Sequence, residues 1–246
     1  MISSQQKPLL LVFTLGPCQE RLRKSILPSG LSSAELWLHR DGLDRAIDAG
    51  QQSGCRVVVA SPRGIDLPGG VRQLSQQGTS FSERLRNSIR TLQTEHPGSP
   101  VVVVGTDVPN LSADHIRSAL LRLAVAPRDV VLGPCPDGGF YLLATHQPID
   151  SVLSRVKWCR QDTRASLLEA LHSEGLAVHL LSPLRDLDRA EDLETWLAHE
   201  RGDRTRNLVR WLLRLLADIR RPELIPRLGL PVPALVTTPS GRGPPL

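Results

Sequence analysis

The sequence predicts an α/β fold with a mostly parallel central sheet, and three observations carry the prediction. Val101 to Val104 is an unbroken β-branched run without polar alternation, which fits a strand covered on both faces rather than on one. Strand-like runs recur along the chain between segments of helical period. The runs ending at Val104 and Leu132 lead into carboxylates, Asp107 and Asp137, each held in a Gly/Pro loop. In open α/β sheets ligands bind at that carboxyl edge, where strand ends, loops and helix N-termini converge.

Taken in order, Lys7 to Leu15 reads as a first buried strand that Gly16-Pro17-Cys18 breaks. The next segment, Gln19 to Pro28, reads as a loop carrying Arg21, Arg23 and Lys24, where cations meet a diphosphate or simply face solvent. No G-x-x-x-x-G-K-[ST] phosphate loop is present. Ser32 or Ser33 starts a helix that runs to about Ala49, with Leu36, Leu43, Ala46 and Ile47 at helical spacing. Cys55 to Ala60 is a second strand, and Ser61 to Ser80 a long loop with one short strand near Val71 to Leu74. Phe81 to Glu95 has the period of an amphipathic helix, with Glu83 and Arg84 near its start.

After the central strand, Ala113 to Ala124 is helical, and Ser112 directly before it is the N-cap candidate. Asp107 lies five residues too early to cap that helix, which leaves it for a cation or a donor group. Asp137 sits among three glycines and two prolines in Gly133 to Gly139. Asp-Gly is also an ordinary hairpin turn, with Phe140 to Leu143 as the returning strand. Neighbouring parallel strands of similar length would set Asp107 and Asp137 at one sheet edge. Thr145 to Lys157 reads as a linker, Gln161 to Glu174 as a helix and Leu176 to Leu181 as a strand. Asp186 and Asp188 then precede a helix around Leu193 to Ala198, and capping by one of them is as good a reading as chemistry.

At 246 residues and 40% apolar content the chain buries one sizeable core, with residues 1–200 as the expected domain. Cys18, Cys55, Cys135 and Cys159 form no C-x-x-C pair and no zinc-like spacing, which argues against a disulfide framework or structural zinc site. The N-terminal segment lacks the pattern of a signal peptide and no run is long enough to span a bilayer, so a cytoplasmic location is expected. The net charge of +5 is uneven: residues 201–246 hold nine Arg against three acids. The basic character therefore belongs to the tail, and with aromatics at 3% a nucleic-acid partner is not expected. Asp203 to Arg221 has the pattern of a basic amphipathic helix with Leu208, Trp211, Leu212 and Leu215 on one face. Packing of that face on the domain or on a second copy of the chain, as in a homodimer, is favoured over a membrane surface. Residues 222–246 hold seven prolines and are expected to be disordered.

Together, Gly105-Thr-Asp-Val-Pro-Asn-Leu111, Leu132-Gly-Pro-Cys-Pro-Asp-Gly-Gly-Phe-Tyr-Leu142, Trp158 and Asp186-Leu-Asp-Arg-Ala-Glu-Asp-Leu193 resemble a family of glycosyltransferase-like proteins associated with radical-SAM/selenodomain or arsenosugar-biosynthesis systems. These are small relatives of the nucleotide-diphosphosugar transferases. The resemblance implies a GT-A-like three-layer sandwich, here with a C-terminal amphipathic helix added. It implies that Asp107 and Asp188 bind Mg²⁺ or Mn²⁺ on the donor diphosphate; Arg21, Arg23 and Lys24, from their place after the first strand, and Thr106, Gly138 and Gly139 are the residues expected to hold the nucleotide. Asp137 falls at the active cleft, positioning the acceptor or acting as base. The implied partners are a nucleotide sugar or nucleoside triphosphate and a small-molecule acceptor. Glycosyl transfer is the first reading; guanylyltransferase-like nucleotidyl transfer releasing pyrophosphate and non-catalytic nucleotide binding are the alternatives.

Overall fold

A computed structural model of the chain describes residues 6–24, 26–27, 32–199 and 214. The chain divides into two units, residues 1–199 and 200–246. The expected amphipathic helix and Pro-rich tail lie outside the described residues, except that Arg214 is helical and exposed.

The first unit is built on seven strands: β1 (Leu9–Phe13), β2 (Arg56–Ser61), β3 (Arg72–Ser75), β4 (Val101–Val104), β5 (Val130–Pro134), β6 (Phe140–Thr145) and β7 (Val178–Leu180). They form one sheet in the order β3-β2-β1-β4-β6-β5-β7, in which β6 alone is antiparallel to its neighbours. The helices are α1 (Pro17–Arg23), α2 (Ser32–Gln52), α3 (Phe81–Glu95), α4 (Ala113–Val125), α5 (Asp150–Arg155), α6 (Thr163–Ser173) and α7 (Ala190–His199).

The absence of polar alternation in the strands has a direct cause in the packing. Leu10, Val12, Val57, Val59, Val102 and Val104 enter one core cluster, with Leu43 and Ile47 of α2 and Ile116 and Leu123 of α4. Their alternate neighbours Leu9, Leu11, Val58, Ala60, Val101 and Val103 enter a second, with Leu85 and Ile89 of α3 and residues of α5 and α6. Successive side chains point to opposite faces of a strand, so a sheet covered on both sides needs apolar residues at every position. The result is a three-layer sandwich.

Four expectations are corrected. The segment after β1 begins as helix α1, not loop: Gly16 at φ 89 turns the chain and Pro17 opens the helix, where its missing N–H costs nothing. The presumed linker Thr145 to Lys157 contains α5, which buries Val152 and Leu153. Strands β4 and β5 are parallel but not neighbours, because β6 folds back between them. Neither Asp186 nor Asp188 is seen to cap α7; Asp192, inside the helix, reaches back to accept the amides of Asp188 (3.2 Å) and Arg189 (3.0 Å).

Candidate functional site

The site lies where the ends of the parallel strands open into loops. Beyond β4, Gly105 to Asp107 is held from two sides. Helix α2 approaches so closely at Gly42 that a Cβ there would stand 2.1 Å from the Thr106 carbonyl oxygen. From the other side the Leu187 amide donates to the Asp107 carbonyl at 2.7 Å. Asp107 has no capping duty: Ser112 is the N-cap of α4, its hydroxyl 2.8 Å from His115 Nδ1 and its amide 3.2 Å from the same nitrogen.

The β5–β6 turn carries Asp137. Its Oδ1 accepts the Gly139 amide at 2.9 Å, the local turn bond that the Asp-Gly reading anticipates. Gly138 has φ 95, and a Cβ there would stand 1.8 Å from the Gln161 carbonyl oxygen. That glycine is required by the turn and by close backbone approach, and its side of the loop is pinned by Arg164, whose amide donates to the Gly138 carbonyl at 2.9 Å.

A cavity of about 760 Å³ connects these loops. Of the residues assigned from sequence, Arg23, Lys24, Thr106, Asp107, Asp137, Gly139 and Asp188 line it; Arg21 and Gly138 do not. Its apolar wall is a run of aromatic contacts: Phe13 to Phe81 at 5.4 Å, Phe81 to Trp158 at 5.0 Å and Phe140 to Trp158 at 6.1 Å between ring centroids. All three phenylalanines and the one tyrosine of this aromatic-poor chain border the cavity, so the scarce flat rings are concentrated at one surface.

The acids are organised in two groups. In the first, Lys24 Nζ lies 2.7 Å from Asp107 Oδ2 and also pairs with Asp188. Withdrawal from water opposes charge on both Lys24 and Asp107, but the mutual ion pair outweighs it, raising the lysine pKa and lowering that of Asp107. In the second group, ligand atoms of Cys135, Asp137 and Asp186 all lie within 4.8 Å of one another. Burial and then the charges of Asp137, Asp107 and Asp188 push the Asp186 pKa up to about 7. Burial, then the charge of Asp186 and of the same three carboxylates, raises the Cys135 thiol.

Both groups have donor sets that fit a divalent cation: two carboxylates converging on one point in the first, a thiol and two carboxylates in the second. In the first, however, the point of convergence is taken by the Lys24 ammonium. The sequence reading missed Cys135 as a site residue and left Asp186 undecided. Only the fold could join them, since they are contributed by the turn after β5 and by the loop after β7.

The fold is that of the nucleotide-diphosphosugar transferases and cytidylyltransferases, a mostly parallel three-layer α/β sandwich. A candidate nucleotide-diphospho-sugar transferase from Desulfovibrio desulfuricans G20 superposes with a TM-score of 0.71 at 19% identity, over 87% of this chain and 98% of that one. A 4-diphosphocytidyl-2C-methyl-D-erythritol synthase superposes with a TM-score of 0.52 at 14% identity, over 77% of this chain and 96% of that one. At these identities the likeness is one of fold. The chain belongs to the bacterial family described as "Uncharacterized protein conserved in bacteria (DUF2064)", whose pattern residues 30–160 match. No curated protein matches it in sequence.

Proposed function

We infer that the protein is a transferase acting on a nucleotide diphosphate compound, and that glycosyl transfer from a nucleotide sugar to a small-molecule acceptor is its reaction. The observation that carries this reading is that Lys24, Asp107, Asp137 and Asp188 line one cavity at the carboxyl edge of the parallel strands. The fold of the Desulfovibrio protein supports it. The narrower likeness to the radical-SAM/selenodomain-associated group belongs to the same proposal.

In this reading Arg23 and Lys24 face the diphosphate, where cations offset the charge that develops as the leaving group departs. Asp137 lies at the β5–β6 turn, and its carboxylate receives the proton of the acceptor hydroxyl. As the new bond forms at the anomeric carbon, the bond to the diphosphate oxygen breaks and the nucleoside diphosphate leaves. The aromatic wall of Phe81, Phe140 and Trp158 offers a flat surface for stacking a base or a sugar ring. A bound Mg²⁺ or Mn²⁺ on Asp107 and Asp188 supplies charge neutralisation of the diphosphate.

Nucleotidyl transfer is the second reading, favoured by a lysine of the first loop placed against the acids. One assay separates the two. Pooled nucleotide sugars and nucleoside triphosphates are supplied with Mg²⁺ or Mn²⁺, and nucleoside diphosphate and pyrophosphate are measured apart, with Asp107→Ala as control. Diphosphate release supports sugar transfer, and pyrophosphate supports nucleotidyl transfer. Absence of both products, with a nucleotide still raising the melting temperature, sinks the enzymatic reading and leaves a binding protein.

A further inference from the structure

The side chain that stands at the convergence of Asp107 and Asp188 is itself a cation. We propose that Lys24 and a divalent metal ion exclude one another on these two carboxylates, so that the free protein holds its cation position closed with its own ammonium. A diphosphate group that draws Lys24 away would then open the position. This second step rests on the nucleotide-diphosphate reading above; the exclusion itself does not.

Three features of the site carry the inference. Lys24 Nζ contacts both carboxylates, at 2.7 Å from Asp107 Oδ2 and in a closer pair with Asp188 Oδ1. The lysine is the least accessible member of the three, with its side chain 16% exposed against 38% for Asp107 and 44% for Asp188. It therefore lies beneath the acids rather than reaching over them from solvent. Its backbone is also fixed, since Lys24 is the C-cap of α1 and its amide donates to the Glu20 carbonyl at 2.8 Å.

A metal ion that used the same two oxygens would sit about 2.0–2.1 Å from each, if Mg²⁺, which brings it into the space the ammonium fills. Two cations a few ångström apart and sharing ligands repel strongly, so occupancy by one expels the other. Charge gives the order of events. Two carboxylates and one ammonium leave a net single negative charge, which is a weak attraction for a divalent ion while the lysine remains. Moving the ammonium onto a phosphate oxygen restores the full double negative charge for the metal and gives the lysine an anionic partner. Metal and diphosphate then bind with positive coupling, and linkage requires each to raise the affinity of the other by the same factor.

The experiment is a titration of the full chain with Mn²⁺ alone, followed by the paramagnetic signal of the free ion and by the melting temperature. It is run on the wild type, on Lys24→Met, and on the double variant Lys24→Met/Asp188→Asn. The expected result is an affinity for Mn²⁺ at least about tenfold higher in Lys24→Met than in the wild type, with the gain lost in the double variant. Should Lys24→Met fail to fold, Lys24→Gln, which keeps a polar end without the charge, carries the same comparison. Equal Mn²⁺ affinity in wild type and the lysine variant overturns the proposal. Binding of a nucleoside diphosphate is measured in parallel both with Mn²⁺ and with a chelator, and is expected to be tighter with Mn²⁺. If Mn²⁺ tightens as expected while no nucleotide binds, the exclusion stands and the nucleotide reading fails instead.

Discussion

Leu187 donates its backbone amide to the carbonyl oxygen of Asp107 at 2.7 Å, so the loop bearing Asp188 is fastened to the loop bearing Asp107 by a bond that neither carboxylate makes. The two acids are thereby brought onto one lysine from distant parts of the chain, and they should behave as a unit. Removing one leaves Lys24 a partner; removing both strands a mostly buried ammonium. In a double-mutant cycle of Asp107→Asn and Asp188→Asn, followed by urea unfolding, the double variant is expected to lose more than the two singles combined. The excess is about 0.5–1 kcal/mol, modest because both acids are over a third exposed. Strict additivity would show that the pairs do not share the lysine in solution.

Gly42 makes the second prediction. In a helix interior Gly→Ala ordinarily stabilises by roughly 0.5–1 kcal/mol. At Gly42 the added methyl would meet the Thr106 carbonyl at 2.1 Å, a backbone atom that yields only if the Gly105–Asp107 loop moves. Gly42→Ala is therefore expected to destabilise by about 1–3 kcal/mol, as overpacking does, and to weaken nucleotide binding along with it. Gly64→Ala, with open space around the added carbon, is the control and should change neither. A stabilised Gly42→Ala protein with intact binding would refute the close approach.

These two relationships show what could and could not be read from the chain. The sheet was legible because a strand buried on both faces has to be apolar throughout, and Val101–Val104 satisfies that condition in four consecutive letters. Helix α3 was legible to the residue from its amphipathic period, and the structure adds that Ser80 and Glu83 close its start with a reciprocal capping box. Helix α1 was not, because its seven residues are too few to show a period and are rich in charge. Asp107 could be singled out by elimination, with Ser112 taking the cap. The grouping of Lys24 with Asp107 and Asp188, and of Cys135 with Asp137 and Asp186, depends on which loops share an edge of the sheet. No local pattern reports that. Gly42 left only a glycine inside a helical pattern, a signal that marks close approach without saying to what.

Asp186 gives a pH dependence. Burial, then the charges of Asp137, Asp107 and Asp188, raise its pKa to about 7, whereas an aspartate in an unfolded chain titrates near ~3.9. Between these values the folded protein holds more protons than the unfolded one, so the contribution of this group to stability falls as pH rises from about 4 to about 7 and then stays level. Asp186→Asn copies the protonated form at every pH. The variant and the wild type should melt together near pH 4, and the variant should melt higher at pH 8, the gap opening between. A gap that does not widen with pH would remove Asp186 as the group responsible. Mn²⁺ held by the Cys135, Asp137 and Asp186 group would narrow the gap at pH 8, because a cation favours the ionised carboxylate.

Asp137 has an observed place in the turn and a proposed role in the cavity, and one substitution separates them. Its Oδ1 accepts the Gly139 amide at 2.9 Å, and an asparagine oxygen can accept the same bond. Asp137→Asn should therefore preserve the β5–β6 turn and the melting temperature while removing the carboxylate that, in the proposed reaction, takes the acceptor proton. The expected outcome is a fall in kcat of about 10²–10⁴-fold with nucleotide affinity little changed. Asp137→Ala loses the turn bond as well, and should melt lower than Asp137→Asn by the worth of one hydrogen bond, about 0.5–1.5 kcal/mol. Full turnover in Asp137→Asn would confine this residue to the turn, and the proton would then have to go to another carboxylate of the cavity, of which Asp186, with its raised pKa, is the first to test.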